Sequence, residues 1–457
     1  MLLCILSILI SVLTGFLLVL LLWPEQKTIF SNFLLKLSLA VGLGFGGSSC
    51  LFFFWKITGL SFKWHVIAEI FLVIFLFYLF KKRDPADNSE ILPISNADKS
   101  FCHKIFQAGF WIMLSLSTTF FIQISLQFPH GERDAFTIWN AHAKFLFSNK
   151  YWMDGFTNDM LWFHPDYPLL LPGIIAKFWN YIGHESVIIP VIIAFFFTFA
   201  TVALLFSSIS IFRGKGQGFL AASLLLGIPL FIKYGASQCA DVPIGFFILA
   251  TIVLLSLNKN NYKLLILAGI MAGFAGWMKN EGLLFIFSTV IAYFVVTLLK
   301  KGWKTSIKQL LFFISGILPV LAVIVYFKIQ FAPPSDIFLF QNPEQIIMKL
   351  TDFSRYFVTL SAFIGAICSM GGFIAPILLL IYPFLMGTKI SIETKSSILL
   401  AFVIMFLILT GYFFIYIITP YDLNWHIKTS INRLFVQLYP AFIFLYFMIV
   451  RSPEDIS

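Results

Sequence analysis

Residues 2–23 read LLCILSILISVLTGFLLVLLLW, an unbroken run without a charged side chain. A hydrocarbon core of about 30 Å is crossed by roughly 20 apolar residues in a helix. The run is too long for a signal-peptide core and carries no small-residue cleavage site, so it reads as a retained spanning helix. Similar runs recur outward along the chain, near 30–54, 64–80, 105–127, 186–210, 218–234, 242–257, 264–278, 283–299, 309–329, 369–387, 397–418 and 434–450. With the first, near 3–23, they predict about 13 transmembrane helices. Backbone groups in lipid must be satisfied internally, and no segment alternates like a barrel strand. The expected fold is therefore an all-α polytopic membrane protein.

Composition agrees. The chain has 457 residues, of which 60% are hydrophobic and only 11% charged. A soluble domain holds about 25% charged residues. The net charge of +10 does not indicate a nucleic-acid partner, because the Lys and Arg residues sit in short loops between apolar runs. Those loops are KKRDPADNSE, RGKGQ, NKNNYK, KKGWKTSIK and GTKISIETK. They fall on one side if the spans alternate, and positive short loops mark the cytoplasm. The five cysteines, Cys4, Cys50, Cys102, Cys239 and Cys368, show no paired spacing, so neither a disulfide framework nor a zinc site follows.

The longest loop, 128–185, then lies outside. DAFTIWNAHAKFLFS places Phe136, Trp139, Ala143 and Leu146 at helical spacing, and YPLLLPGIIAKFWNYIG reads as a second short apolar helix. Both are expected to be interfacial helices. A further interfacial helix is expected within 330–368. The organisation is thus residues 1–104, N-terminal helices and a cytoplasmic loop; 105–450, a transmembrane catalytic module containing the loop 128–185; and 451–457, a cytoplasmic tail.

The same alternation puts the unusual ionisable residues on one face. Glu132, Asp134, His142, His164 and Asp166 lie in the first large external loop. Asp241, Lys279 and Glu281 lie at external helix junctions, and Asp422, His426 and Arg433 in or near the last external loop. Ionisable groups at membrane depth are costly and often mark functional paths. Structural readings compete for each one. Asp134, Asp166 and Asp241 all suit helix starts; Lys279 and Glu281 suit a short ion pair. Trp139, Trp162, Trp179 and Trp425 suit an interfacial aromatic belt. Gly42, Gly44, Gly46 and Gly47 suit either a loosened helix or tight packing, and Glu69, inside an apolar run, has no nameable partner.

Several blocks resemble the GT-C glycosyltransferases, and within them the bacterial branch similar to dolichyl-phosphate-mannose protein mannosyltransferases. GERDAFTIWNAHAKFLF resembles the loop with the acidic motif; FHPDYPLLLP, the entry to the second surface helix. CADVPIGFFILA, AGWMKNEGLLF and HIKTSINRLFVQLYP resemble later blocks in the same order. About three spans precede the acidic loop here, whereas family members commonly reach it after the first. The resemblance covers roughly 105–450. It implies a polyprenyl-phosphate-linked sugar donor, a glycolipid, polysaccharide or protein acceptor, inversion at the anomeric carbon, and a bacterial inner (plasma) membrane with the site on the periplasmic side.

That chemistry sets demands on the residues. An acceptor needs a carboxylate to take its proton: Asp134 is the choice, with Glu132 as substitute. The leaving phosphate needs cationic partners: Arg433 can grip two oxygens, with Lys279 and His426 secondary. Trp139, His142, His164, Asp166, Tyr167, Asp241 and Glu281 are expected to line the substrate groove. Glu132, Asp134, His164 and Asp166 also offer ligands for a divalent ion such as Mg or Mn, although a monophosphate donor carries a charge that Arg and Lys can meet. Two rivals predict other patterns. An envelope polysaccharide polymerase or ligase would rely on Arg and His without an acidic pair, and a lipid-linked sugar transporter or flippase would place polar residues at the bilayer midplane.

Overall fold

A computed structural model describes residues 2–23, 30–82, 101–148, 150–258, 260–335, 341–370, 372 and 374–455. Among these the regular structure is helical, apart from one isolated bridge between Thr388 and Val450. The helices are α1 (Leu2–Leu22), α2 (Phe30–Thr58), α3 (Phe62–Lys81), α4 (Phe101–Gln127), α5 (Asn140–Phe147), α6 (Leu170–Ile182) and α7 (Ile188–Arg213). They continue as α8 (Lys215–Leu226), α9 (Pro229–Ala236), α10 (Asp241–Leu257), α11 (Tyr262–Met278), α12 (Glu281–Lys301) and α13 (Trp303–Gln330). The last are α14 (Pro343–Thr351), α15 (Phe353–Ser369), α16 (Ile374–Met386), α17 (Ile392–Ile418) and α18 (Leu423–Ile449).

Nine described helices are long and apolar enough to cross a membrane, or 11 spans if the bent pairs α8–α9 and α15–α16 each count as one. α10 and α11 are apolar but only 17 residues long. The expected 13 is reached only if both bent pairs and both short helices cross. One boundary differs from the sequence reading. The run near 369–387 becomes α16, starting at Ile374, and it is preceded by α15 within the stretch read as external loop. The polar opening of α15, where Asp352 caps Ser354 N–H, hides its apolar character.

Apolar side chains take two roles. α10 is buried on nearly every side, as expected for a helix that is hydrophobic all round. It packs against α7, α11 and α18. By contrast Ile70, Phe71 and Ile74 on α3, and Ile112 and Leu116 on α4, remain exposed; in a bilayer this is the lipid-facing surface. Helices in lipid associate through close packing of small residues. On α11 and α13, a Cβ at Gly269 would lie 2.1 Å from the Phe313 carbonyl oxygen, and one at Gly316 2.1 Å from that of Ile266. On α1 and α2, Gly15 and Gly44 are equally confined by Ala40 and Ser11, and Gly42 and Gly46 by Phe246 and Phe274, which favours tight packing as their role; Gly47 has open space beside it.

The expected interfacial helices differ in detail. Residues Ala135–Trp139 form a π-helical turn that runs into α5. Its wider i→i+5 bonding, closed by Asn140 N–H to the Ala135 carbonyl, shifts the register. Trp139, Ala143 and Leu146 are buried as expected, but Phe136 is 53% exposed. α6 is not one-sided: Leu170 through Trp179 are all buried, because α1, α2 and α5 all pack on it. Within it Lys177 is completely buried and lies 2.7 Å from Glu69 of α3. Lys177 also donates to Ser11 of α1 (2.6 Å) and Ser48 of α2 (3.2 Å), and Tyr181 donates to Glu69. This network ties the first three helices to the loop that follows α4, across the expected domain boundary at 104.

Candidate active site

The loop after α4 is fastened to the junction between α9 and α10. Gly131 takes φ 77°, and a Cβ there would meet the Ser237 carbonyl oxygen at 2.6 Å. Glu132 N–H donates to that same carbonyl (3.2 Å). Gln238 Nε2 donates to the Pro129 carbonyl (3.0 Å) and its Oε1 accepts from Asn140 Nδ2 (3.1 Å). These bonds hold the start of the loop against the start of α10, and Asp134 therefore stands beside Asp241.

Arg433, on α18, joins the two. Its Nη1 contacts Asp134 Oδ2 and its Nε lies 3.0 Å from Asp241 Oδ2. The other oxygen of Asp241 accepts from Lys279 Nζ (3.1 Å) and Gln437 Nε2 (2.9 Å). Lys279 also pairs with Glu281 at 2.7 Å. Gln437 is held in turn by the Tyr412 hydroxyl, which donates to its Oε1 (2.9 Å). Asp241 is fully buried, whereas Asp134 keeps 35% of its side chain exposed. Three carboxylates thus face two cations, with the most accessible member being an acid. Buried charges persist only when paired and hydrogen-bonded in this way, and removing one partner costs about 3–5 kcal/mol.

A second cluster adjoins the first. Asn280 Nδ2 donates to Asp166 Oδ2 (2.7 Å), and Lys328 of α13 donates to Asn280 Oδ1 (2.9 Å) with its Nζ 3.7 Å from Asp166. At the consecutive residues Lys279, Asn280 and Glu281 the helices break: α11 stops at Met278, Lys279 is extended (φ −158°, ψ 155°), and α12 begins at Glu281. The break sends Lys279 to Asp241 and Asn280 to Asp166.

Side-chain capping does not explain the three aspartates. Neither Asp134 nor Asp241 makes a cap bond to its helix, and α6 starts at Leu170, beyond Asp166. Of the expected groove residues, Trp139 and His142 are fully buried. The Trp139 ring lies 5.6 Å from Tyr167, which stacks on His164 at 4.8 Å, and His142 lies 5.6 Å from Phe156. His426 accepts or donates at Thr419 Oγ1 (2.8 Å) and packs on Tyr416. It is two turns from Arg433 on α18, about 10 Å along the axis. Glu132 is 3.5 Å from Lys233 of α9.

The suggested metal set goes to separate partners: Glu132 to Lys233, Asp134 to Arg433, Asp166 to Asn280 and His164 to Tyr167. Among the described residues, no three His, Cys, Asp or Glu side chains converge as a metal group. Sequence reasoning missed Gln238, Asn280, Lys328, Tyr412 and Gln437. Gln238 and Asn280 adjoin residues it did single out; the others sit inside apolar helices, where a polar side chain was the available signal.

Residues 166–326 match the family model described as dolichyl-phosphate-mannose-protein mannosyltransferase. No curated protein and no solved structure matches the chain. The matched segment carries Asp166, Asp241, Lys279, Glu281 and their supporting helices, while Asp134 precedes it and Arg433 follows it. Over this segment, about a third of the chain, the sequence is similar to that GT-C-type family of membrane mannosyltransferases.

Proposed function

We propose that the protein transfers a sugar from a polyprenyl-phosphate carrier to an acceptor of the cell envelope, at the external face of the membrane. The observation that carries this reading is the contact between Asp134 and Arg433, 299 residues apart in the chain. It joins a partly exposed carboxylate to a guanidinium and thereby provides the two groups the reaction needs. The donor class is supported by the family match and by the helical surroundings, which suit an isoprenoid tail.

In this reaction the acceptor oxygen or nitrogen forms a bond to the anomeric carbon as the bond from that carbon to the carrier phosphate breaks. The phosphate leaves with the electron pair, and the acceptor proton passes to Asp134. Arg433 stabilises the growing charge on the phosphate. A guanidinium has five N–H donors, so contacts with Asp134 and Asp241 leave capacity for a phosphate oxygen. Asp241, buried and shared by Arg433, Lys279 and Gln437, is a positioning residue. An arriving phosphate competes with Asp134 for Arg433, which releases the carboxylate toward the acceptor as the donor seats. Glu132 stands by as a second acid, Lys279 and His426 as further cations, and Tyr167, His164, Asp166 and Glu281 border the groove, backed by Trp139 and His142.

The test uses membranes supplied with labelled polyprenyl-phosphate sugars. Asp134→Asn is expected to lower transfer by about 10²–10⁴-fold, the usual contribution of a general base, without weakening donor binding. Arg433→Ala is expected to weaken donor use instead. Near-normal transfer by Asp134→Asn rejects the base assignment, and unchanged donor dependence in Arg433→Ala removes it from the phosphate site.

A further inference from the structure

A cavity of about 420 Å³ opens at the far ends of the helices that build the candidate active site. It is lined by the last turns of α7, α10 and α12 and the first turn of α17. Asp241 and Glu281 begin α10 and α12, whereas Ser256 and Lys300, near the other ends, line this cavity. The separation is about 22–28 Å along the axes, so the two sites are distinct and face opposite ends of the bundle.

Its lining mixes basic and polar side chains with apolar ones. Arg213, Lys300 and Lys301 contribute three cations against one carboxylate, Glu393. Basic residues at helix ends commonly serve only to offset the helix dipole and to fix topology. Two observations point past that role. The Nε of Arg213 and the hydroxyl of Ser256 are buried without a hydrogen-bond partner among the described residues, and both residues line the cavity. Buried polar groups are ordinarily satisfied. Arg213 is held in place by Nη2, which donates to the Val450 carbonyl at 2.7 Å, and Lys301 is engaged by Asn260 (2.9 Å). Lys300 is exposed at the rim. Leu255 and Val296, both buried, give the lining an apolar wall.

We propose that this cavity binds a phosphoryl anion, supplied as the headgroup of an anionic phospholipid. The headgroup pairs with Arg213 and Lys300 and accepts from Ser256, and the proximal acyl chain lies along the apolar wall. Basic pockets between transmembrane helices favour such headgroups, with each cation near the surface contributing roughly a fivefold gain.

The full-length protein, purified in detergent and challenged with phosphatidylglycerol or phosphatidylcholine, tests this by native mass spectrometry. The wild type is expected to retain phosphatidylglycerol preferentially. Lys300→Ala, at an exposed position, should reduce that retention about fivefold, and Arg213→Gln combined with Lys300→Ala further. Inorganic phosphate is the second probe. If it binds with the same dependence on these residues while no lipid preference is seen, the phosphoryl site stands and its source is soluble. Equal retention of both lipids together with phosphate binding unchanged in Lys300→Ala and the double variant overturns the proposal.

Discussion

At the scale of single residues, His142 shows how a local reading and the folded environment diverge. The sequence places it in a polar loop among candidate site residues. The structure buries it completely beside Phe156. Burial, with a smaller contribution from His164, pushes the imidazole down to about 3. The unfolded chain, with an ordinary histidine near 6.5, takes up a proton that the folded protein refuses until about pH 3. Stability therefore falls as pH drops below about 6.5, by up to about 1.4 kcal/mol per pH unit for this one proton. Thermal unfolding of the purified protein between pH 4 and 7.5 checks it. His142→Phe is expected to flatten the acid limb relative to wild type, and parallel acid limbs would show that this ring is not the group responsible. Asp134, Asp241, Lys279, Glu281 and Arg433 were legible because each is an ionisable group in an apolar chain, where charge is costly. Their pairing was not, since partners such as Arg433 and Asp241 lie on helices whose contact depends on tertiary packing.

At the scale of elements, α6 marks where periodicity ran out. A one-sided apolar stripe predicts a helix but not how many neighbours cover it, so α6 read as interfacial although α1, α2 and α5 enclose it. The same gap left Glu69 without a nameable partner, because Lys177 lies in the following module. The π-helical turn before α5 likewise breaks the 3.6-residue spacing that placed Phe136 on the buried face. Through the Glu69–Lys177 pair, α1, α2 and α3 hold α6, and hence the segment leading from Asp166, in position. Lys177→Met alone leaves Glu69 buried with only neutral partners and a histidine, and is expected to destabilise the protein by about 3–5 kcal/mol. Adding Glu69→Gln should recover a substantial part of that loss. A double variant whose thermal stability equals the sum of the two single losses would show that the pair is not coupled.

At the scale of the whole molecule, the all-helical class followed from composition and run length alone, while the number of spans depends on helices too short or too bent for length to decide. The two-sidedness of the chain is a separate matter, and it is open to direct measurement. α13 begins at Trp303 and carries Lys328 near its other end, where Lys328 meets Asp166 and Asn280. Lys304 and Lys328 are therefore about 36 Å apart along the helix, enough to separate the two faces of a core of about 30 Å. Trp162, 88% exposed, belongs to the loop that carries Asp134 and Asp166. Among the native thiols, Cys4 and Cys239 are buried and Cys368 is exposed. In a background lacking Cys102 and Cys368, Trp162→Cys is expected to react with a membrane-impermeant maleimide in spheroplasts. Lys304→Cys, in the basic first turn of α13, should react only after permeabilisation. The positive loops mark the cytoplasmic side independently of the ionisable cluster. Labelling of both positions from outside would mean that α13 does not separate the two faces. The reverse pattern would place the cluster in the cytoplasm, where nucleotide sugars are available and the need for a carrier-linked donor disappears.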